Sequence, residues 1–221
     1  SHDIKTPLTS IINYVDLLKR ENIQDPKIQG YLDILEAKAQ RLKHLTEDVV
    51  EASKISSGNI TMEYMNINFV EMINQTTGEF AEKFEKRNLQ IVLNVPEKPV
   101  MVRTDGRRMW RVIENIYNNA AKYALEGTRV YADLIEKEHT VEFSLKNISE
   151  QPLNISADEL TERFIRGDVS RSTEGSGLGL SIAKNLTELQ GGKFELYLDG
   201  DLFKVTIVFP KAVVGQSVTK S

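Results

Sequence analysis

Two runs of apolar residues, spaced at intervals of three and four, govern the start of this 221-residue chain. The first run is Ile4, Leu8, Ile11, Val15 and Leu18; the second is Ile28, Leu32, Leu35, Ala39, Leu42, Leu45, Val49 and Ala52. Such spacing lays one apolar stripe along each helix, and each stripe needs a facing helix to cover it. Between the runs, Asp25 suits an N-cap and Pro26 the first helical turn. Ser56-Ser57-Gly58-Asn59 ends the second helix. Two long amphipathic helices with a short connection predict an antiparallel hairpin. One hairpin cannot bury both stripes, whereas two hairpins about a two-fold axis form a four-helix bundle, so a homodimer is expected.

After Asn59 the texture changes to mixed α/β. Strands are predicted at 61–64, 89–93, 100–102, 129–135, 140–146, 193–198 and 202–209. Helices are predicted at 68–87, 157–164 and up to Gln190, with Asp105 capping another that ends at Tyr123. A polar, glycine-rich stretch covers 166–177, and Asp199-Gly200-Asp201 makes the last hairpin turn. Helices and strands segregate rather than alternate strictly. The expected fold class is therefore α+β: a helical hairpin, then a two-layer α/β sandwich with helices on one face of a sheet. The domain boundaries read as 1–58, 59–210 and a short polar tail at 211–221.

Composition excludes several classes of function. The net charge of −4 gives no basic field for nucleic acid. Without cysteine there is no disulfide, thiolate catalysis or zinc-thiolate site. No stretch approaches the roughly 20 apolar residues of a membrane span. The chain lacks an initiator Met and starts inside a helical pattern. It reads as the cytoplasmic portion of a longer, membrane-anchored parent whose sensor and membrane segments lie upstream.

Three constellations carry chemistry. In Ser1-His2-Asp3-Ile4-Lys5-Thr6-Pro7, the seam leaves His2 on the solvent side, with Thr6 one turn above it. A carboxylate such as Asp3 at one ring nitrogen makes the other a better nucleophile. Pro7 removes the helical bond to the Asp3 carbonyl and favours a kink. In the second, Asn115 and Asn119 project from one helical face, and amide oxygens with water and phosphate oxygens suit Mg²⁺. Lys122 on the same helix can approach phosphate. The third, Gly175-Ser176-Gly177-Leu178-Gly179-Leu180, enters a helix, where glycines and a helix N-terminus admit phosphate. Arg163, Arg166 and Arg171 lie just upstream. Taken singly, these also read as a surface histidine, a polar helix face and a solvated loop. His44 and His139 read as incidental.

Together and in this order, the constellations resemble the sensor histidine kinases of two-component signalling. Ser1 to Pro7 is similar to their H box, Asn115 to Tyr123 to the N box, Glu162-Arg163-Phe164 to the F box, and Gly175 to Gly179 to a glycine box. Gly191-Gly192 falls where a further glycine motif often stands. The resemblance implies a Bergerat-type fold that binds ATP and Mg²⁺. It implies that His2 accepts the γ-phosphoryl group and passes it to an aspartate on a response-regulator receiver domain. It also implies Asp3 as base and Thr6 as the residue positioning water for dephosphorylation of the regulator. Asn115 and Asn119 would hold the metal. Lys122 and Tyr123 would meet phosphate and ribose. Asn147, Phe164, Arg166, Gly175, Gly177, Leu178 and Gly179 would complete the nucleotide site. The regulator would dock below the histidine, on Thr9, Ser10, Asn13, Tyr14 and Leu17.

One box departs from the family pattern. Where such kinases carry Asp-x-Gly-x-Gly, this chain has Asn147-Ile148-Ser149-Glu150-Gln151. The amide oxygen of Asn147 can still accept from adenine, at a loss of about 1 kcal/mol. A left-handed Ser149 would add about 1–2 kcal/mol. Nucleotide affinity weaker by about tenfold to a hundredfold is therefore expected. A degenerate site, acting mainly as phosphatase or receiver-binding scaffold, is the rival expectation.

Overall fold

A computed structural model of the chain describes residues 2–21, 23, 25–58, 60–153 and 178–212, with side chains from Thr6 onward. Two units result: one carries the first two helices, up to Ile60, and the other begins at Thr61 and carries the remaining described helices and strands.

The first unit is a hairpin of α1 (His2–Arg20) and α2 (Pro26–Ser56). Helix α1 continues through Pro7. The Asp25 side chain caps α2 by accepting from Lys27 N at 2.8 Å, and Pro26 takes the first turn. Lys19 sets the register of the pair, reaching Asp33 at 2.8 Å and Glu36 at 2.5 Å. Asp33 and Glu36 raise the pKa of its ammonium well above the usual lysine range. These groups are exposed, so their worth lies in alignment rather than stability. The hairpin buries only part of each seam: Leu8 and Val15 from α1, Leu32 and Ala39 from α2. Ile11, Leu18, Ile28, Leu35, Leu42 and Val49 stay exposed.

The second unit begins with β1 (Tyr64–Asn68), α3 (Phe69–Glu85), β2 (Gln90–Asn94), β3 (Met101–Asp105) and α4 (Gly106–Tyr123). Strands β4 (Arg129–Glu136) and β5 (Thr140–Ile148), helix α5 (Gly179–Leu189), and strands β6 (Lys193–Asp199) and β7 (Leu202–Pro210) follow. A five-stranded sheet runs β2-β4-β5-β7-β6, with β2 parallel to β4 and the other neighbours antiparallel. Strands β1 and β3 form a separate antiparallel pair. Alternation along the strands puts Val130, Ala132, Val141, Phe143, Leu145, Val205 and Ile207 in the core. The opposite face is polar. There Asp133 accepts from Asn94 Nδ2 at 2.6 Å and from Lys146 Nζ at 3.3 Å.

The core centres on Tyr117 of α4, which is fully buried. Its ring stacks on Phe143 at 6.2 Å and meets Phe80 at 5.4 Å and Phe84 at 6.1 Å. Its hydroxyl lies 2.8 Å from Thr77 Oγ1. Burial pushes its pKa up to about 12, against a smaller downward pull from the Thr77 bond.

Three expected strands are displaced. The strand expected at 61–64 runs instead at Tyr64–Asn68. Its position is set by the ladder with β3, from Tyr64 opposite Asp105 to Asn68 opposite Met101. Strand β3 likewise extends past 102 to Asp105, the cap of α4. Asn88, at φ 50°, ends the α3 region and delays β2 to Gln90. The helix expected at 157–164 and the glycine-rich stretch at 166–177 lie outside the described residues.

Candidate functional site

Helix α4 supplies four of the polar residues singled out from the sequence, Asn115, Asn119, Lys122 and Tyr123, and it starts from a firm corner. Asp105 Oδ1 accepts from Arg108 N at 3.1 Å, and its Oδ2 accepts from Glu63 N at 3.0 Å. Burial pushes the Asp105 pKa up, but the backbone donors of Glu63, Arg108 and Arg107, with the Arg108 charge, hold it below the usual carboxylate range. Gln190, just past α5, binds the same corner. Its Oε1 accepts from Asp105 N at 3.0 Å and from the Thr104 hydroxyl, and its Nε2 donates to Leu186 O at 2.8 Å. The start of α4 and the end of α5 are thereby fastened together.

Asn115 lies on the buried side of α4, and its Nδ2 has no hydrogen-bond partner. A Cβ placed on Gly179, the first residue of α5, would sit 3.3 Å from Asn115 Oδ1. The asparagine helix and the end of the glycine stretch are thus brought together, and glycine lets α5 begin against the amide. Asn119 is half-buried one turn further on. Asn118 is committed elsewhere, accepting from Lys83 Nζ of α3 at 3.1 Å. Lys122 Nζ lies 4.8 Å from the centre of the Tyr123 ring.

Asn147 closes the inward row of β5 and is only 3% exposed. Its Nδ2 donates to Ile148 O at 3.1 Å, while its Oδ1 has no partner. Among the described side chains, the buried polar atoms left without a partner are those on Asn115 and Asn147. Each such group costs about 1–3 kcal/mol. A ligand offering an acceptor to Asn115 and a donor to Asn147 recovers that cost. A phosphate oxygen is such an acceptor, and an adenine amino group is such a donor. Among the described residues no group of three His, Cys, Asp or Glu can hold a metal ion. Mg²⁺ here would rest on amide, water and phosphate oxygens, and a half-turn of the Asn115 amide presents Oδ1 in place of Nδ2.

The altered box costs less than its sequence suggests. Among the described residues, Asn88 is the non-glycine residue at positive φ. Ser149 instead forms a β-bridge with Ala124 and donates its N–H to Asp201 O at 2.7 Å. The left-handed strain expected at Ser149 is therefore absent.

Residues 1–58 match the His Kinase A (phospho-acceptor) domain, and residues 104–213 match the histidine kinase-, DNA gyrase B- and HSP90-like ATPase. The chain belongs to the histidine kinase family. Sensor protein VanSC of Enterococcus gallinarum is 31% identical over 96% of this chain and 59% of that protein. Sensor protein VanS of Enterococcus faecium is 34% identical over 87% of this chain and 50% of that protein. The chain thus spans about half the length of these relatives. The catalytic domain of histidine kinase ThkA aligns with a TM-score of 0.60 at 26% identity, over 68% of this chain and 97% of that domain. Full-length ShkA, solved in complex with AMPPNP, shares the fold at a TM-score of 0.78 and 20% identity, over 96% of this chain and 45% of that one.

The remaining residues expected in a histidine kinase are unevenly placed. His2 and Asp3 lie at the start of α1, where only the backbone is described, and Thr6 is exposed on the same helix. Phe164, Arg166, Gly175 and Gly177 lie outside the described residues, while Leu178 is half-buried just before α5. Gly191-Gly192 serves packing: Gly191 has φ 79°, and a Cβ on Gly192 would lie 2.5 Å from the Phe209 ring. Sequence reading missed Thr104 and Gln190, because a threonine in a strand and a glutamine at a helix end carry no signal of their pairing. Among the described residues no helix is long and apolar enough to cross a membrane.

Proposed function

We propose that this chain is the catalytic core of an ATP-dependent protein-histidine kinase. Two buried atoms without a partner, Asn115 Nδ2 and Asn147 Oδ1, carry the reading. They are buried on separate elements, α4 and β5, and offer the donor and acceptor that a nucleotide's phosphate and base require. With its amide turned to present Oδ1, Asn115 would hold Mg²⁺ together with Asn119, with Lys122 toward phosphate and Tyr123 toward ribose. Phe164, Arg166, Gly175, Gly177, Leu178 and Gly179 would complete the set of nucleotide-binding residues. A metal held there would neutralise charge on the transferring phosphoryl group. An imidazole nitrogen of His2 attacks the γ-phosphorus, an N–P bond replaces the O–P bond, and ADP leaves. Asp3 takes the imidazole proton.

The phosphoryl group then passes to an aspartate on a receiver domain. ThkA has been solved in complex with the response regulator protein TrrA, which supports such a partner. Thr6 would position water for the reverse task of clearing the regulator. The exposed half of the hairpin seam, including Ile11, Leu18, Leu35 and Leu42, supports a homodimer through residues 1–58. The nucleotide unit would span 59–210, and the chain would form the cytoplasmic part of a membrane-anchored sensor.

The neutral Asn147 supports a second reading, in which the nucleotide site is degenerate and the chain acts as phosphatase or receiver scaffold. Titrating a fluorescent ATP analogue with Mg²⁺ separates the two. The kinase reading predicts saturable binding that is lost in Asn119→Ala. No binding at several hundred micromolar favours the second reading.

A further inference from the structure

Arg87 stands just beyond α3, half-buried, and its guanidinium spans three segments of the chain. Nη1 donates to Ala121 O at 3.1 Å and to Lys122 O at 2.5 Å, both in the last turn of α4. Nη2 donates to Glu150 Oε2 at 2.8 Å. Glu150 returns the link, its own N–H donating to Tyr123 O at 2.8 Å. Leu125 N donates to Ile148 O at 2.8 Å, and Ala124 bridges Ser149. The end of α4 and the segment after Asn147 are thus laced together, with Arg87 as the side-chain tie between them.

The tie joins the two elements on which the proposed nucleotide residues sit. Asn115, Asn119, Lys122 and Tyr123 ride on α4, and Asn147 ends the inward row of β5. Nothing in a helix fixes its distance from a strand except what fastens the two. A guanidinium is well suited to this, since its rigid fork can serve helix carbonyls and a carboxylate at once. It also complements the partial negative charge at a helix C-terminus. The Arg87 and Glu150 side chains are 26% and 49% exposed, so the pair should add little to folding stability. Its three directed bonds fix geometry instead.

We propose that Arg87, braced by Glu150, is a positioning residue of the nucleotide site. It holds the end of α4 and the segment after Asn147 at a set separation, so that both read one ligand. The proposal rests on the nucleotide reading given above. It is tested by measuring fluorescent ATP analogue affinity with Mg²⁺ and the unliganded thermal midpoint in wild type, Arg87→Met, Arg87→Lys and Glu150→Gln. Arg87→Met should weaken binding by about tenfold while moving the midpoint only slightly. Arg87→Lys should keep the midpoint near wild type and still bind weakly, because a lysine ammonium lacks the fork that reaches helix carbonyls and carboxylate together. Glu150→Gln should weaken binding less than Arg87→Met. Arg87→Met with wild-type affinity, or an Arg87→Lys that restores both quantities together, overturns the proposal while leaving the site intact. A wild-type chain that binds no nucleotide overturns both.

Discussion

Asn147→Leu should leave the unliganded protein as stable as wild type or more so, while weakening nucleotide binding by about tenfold to a hundredfold. The opposite signs follow from the same atom. In the free protein Asn147 Oδ1 is buried without a partner, a state that costs about 1–3 kcal/mol. Leucine has nearly the same shape and removes that cost. The bond from Asn147 Nδ2 to Ile148 O is lost, but Ile148 O still accepts from Leu125 N at 2.8 Å and is not orphaned. With ligand bound, the balance reverses, because a buried amino group would face a methyl instead of an oxygen. Urea denaturation and nucleotide titration of the same preparation read both effects. A variant that loses stability yet keeps its affinity would show that Asn147 is structural.

Tyr117→Ala should destabilise the α/β unit by about 3–5 kcal/mol, the range for removing a large buried aromatic side chain. The ring is fully buried against Phe143, Phe80 and Phe84, so its loss opens a cavity where α3, α4 and β5 meet. Tyr117→Phe keeps the packing and loses only the link to Thr77, at a cost of about 1 kcal/mol. The two variants also differ in alkali. Burial raises the folded pKa of Tyr117 to about 12. The unfolded chain therefore releases this proton first. Stability from keeping the phenol neutral is complete below about pH 10 and is lost as pH rises through 12. Tyr117→Phe should lack that part of the alkaline decline, as chemical denaturation at pH 8 and pH 11 would report. An identical decline in both proteins would assign the alkaline sensitivity to other groups.

The helical hairpin was legible because its signal is local: spacing along each helix and a capped start at Asp25. The shared placement of Asn115 and Asn119 was legible for the same reason, since they lie one turn apart on a single helix. What depends on pairing between distant segments was not. The parallel ladder of β2 with β4 and the slide of β1 onto Tyr64–Asn68 are set by partners elsewhere in the chain. The bare oxygen of Asn147 follows from the register of β5 and from which atom the Ile148 carbonyl engages. Arg87 sits in Glu85-Lys86-Arg87-Asn88, which reads as a solvated helix end, yet its partners lie at Ala121, Lys122 and Glu150. Gly191-Gly192 shows a packing role that the sequence does not announce. The positive φ of Gly191 and the close approach of Gly192 to Phe209 depend on a turn and on a strand distant in sequence.

The central claim is that this chain moves the γ-phosphoryl group of ATP onto one imidazole. Incubation with γ-labelled ATP and Mg²⁺, followed by treatment of the denatured protein with acid or base, tests it most directly. The account predicts label that is lost in acid, survives base, and is absent from His2→Ala. Label that persists in His2→Ala, or that survives acid, would contradict it.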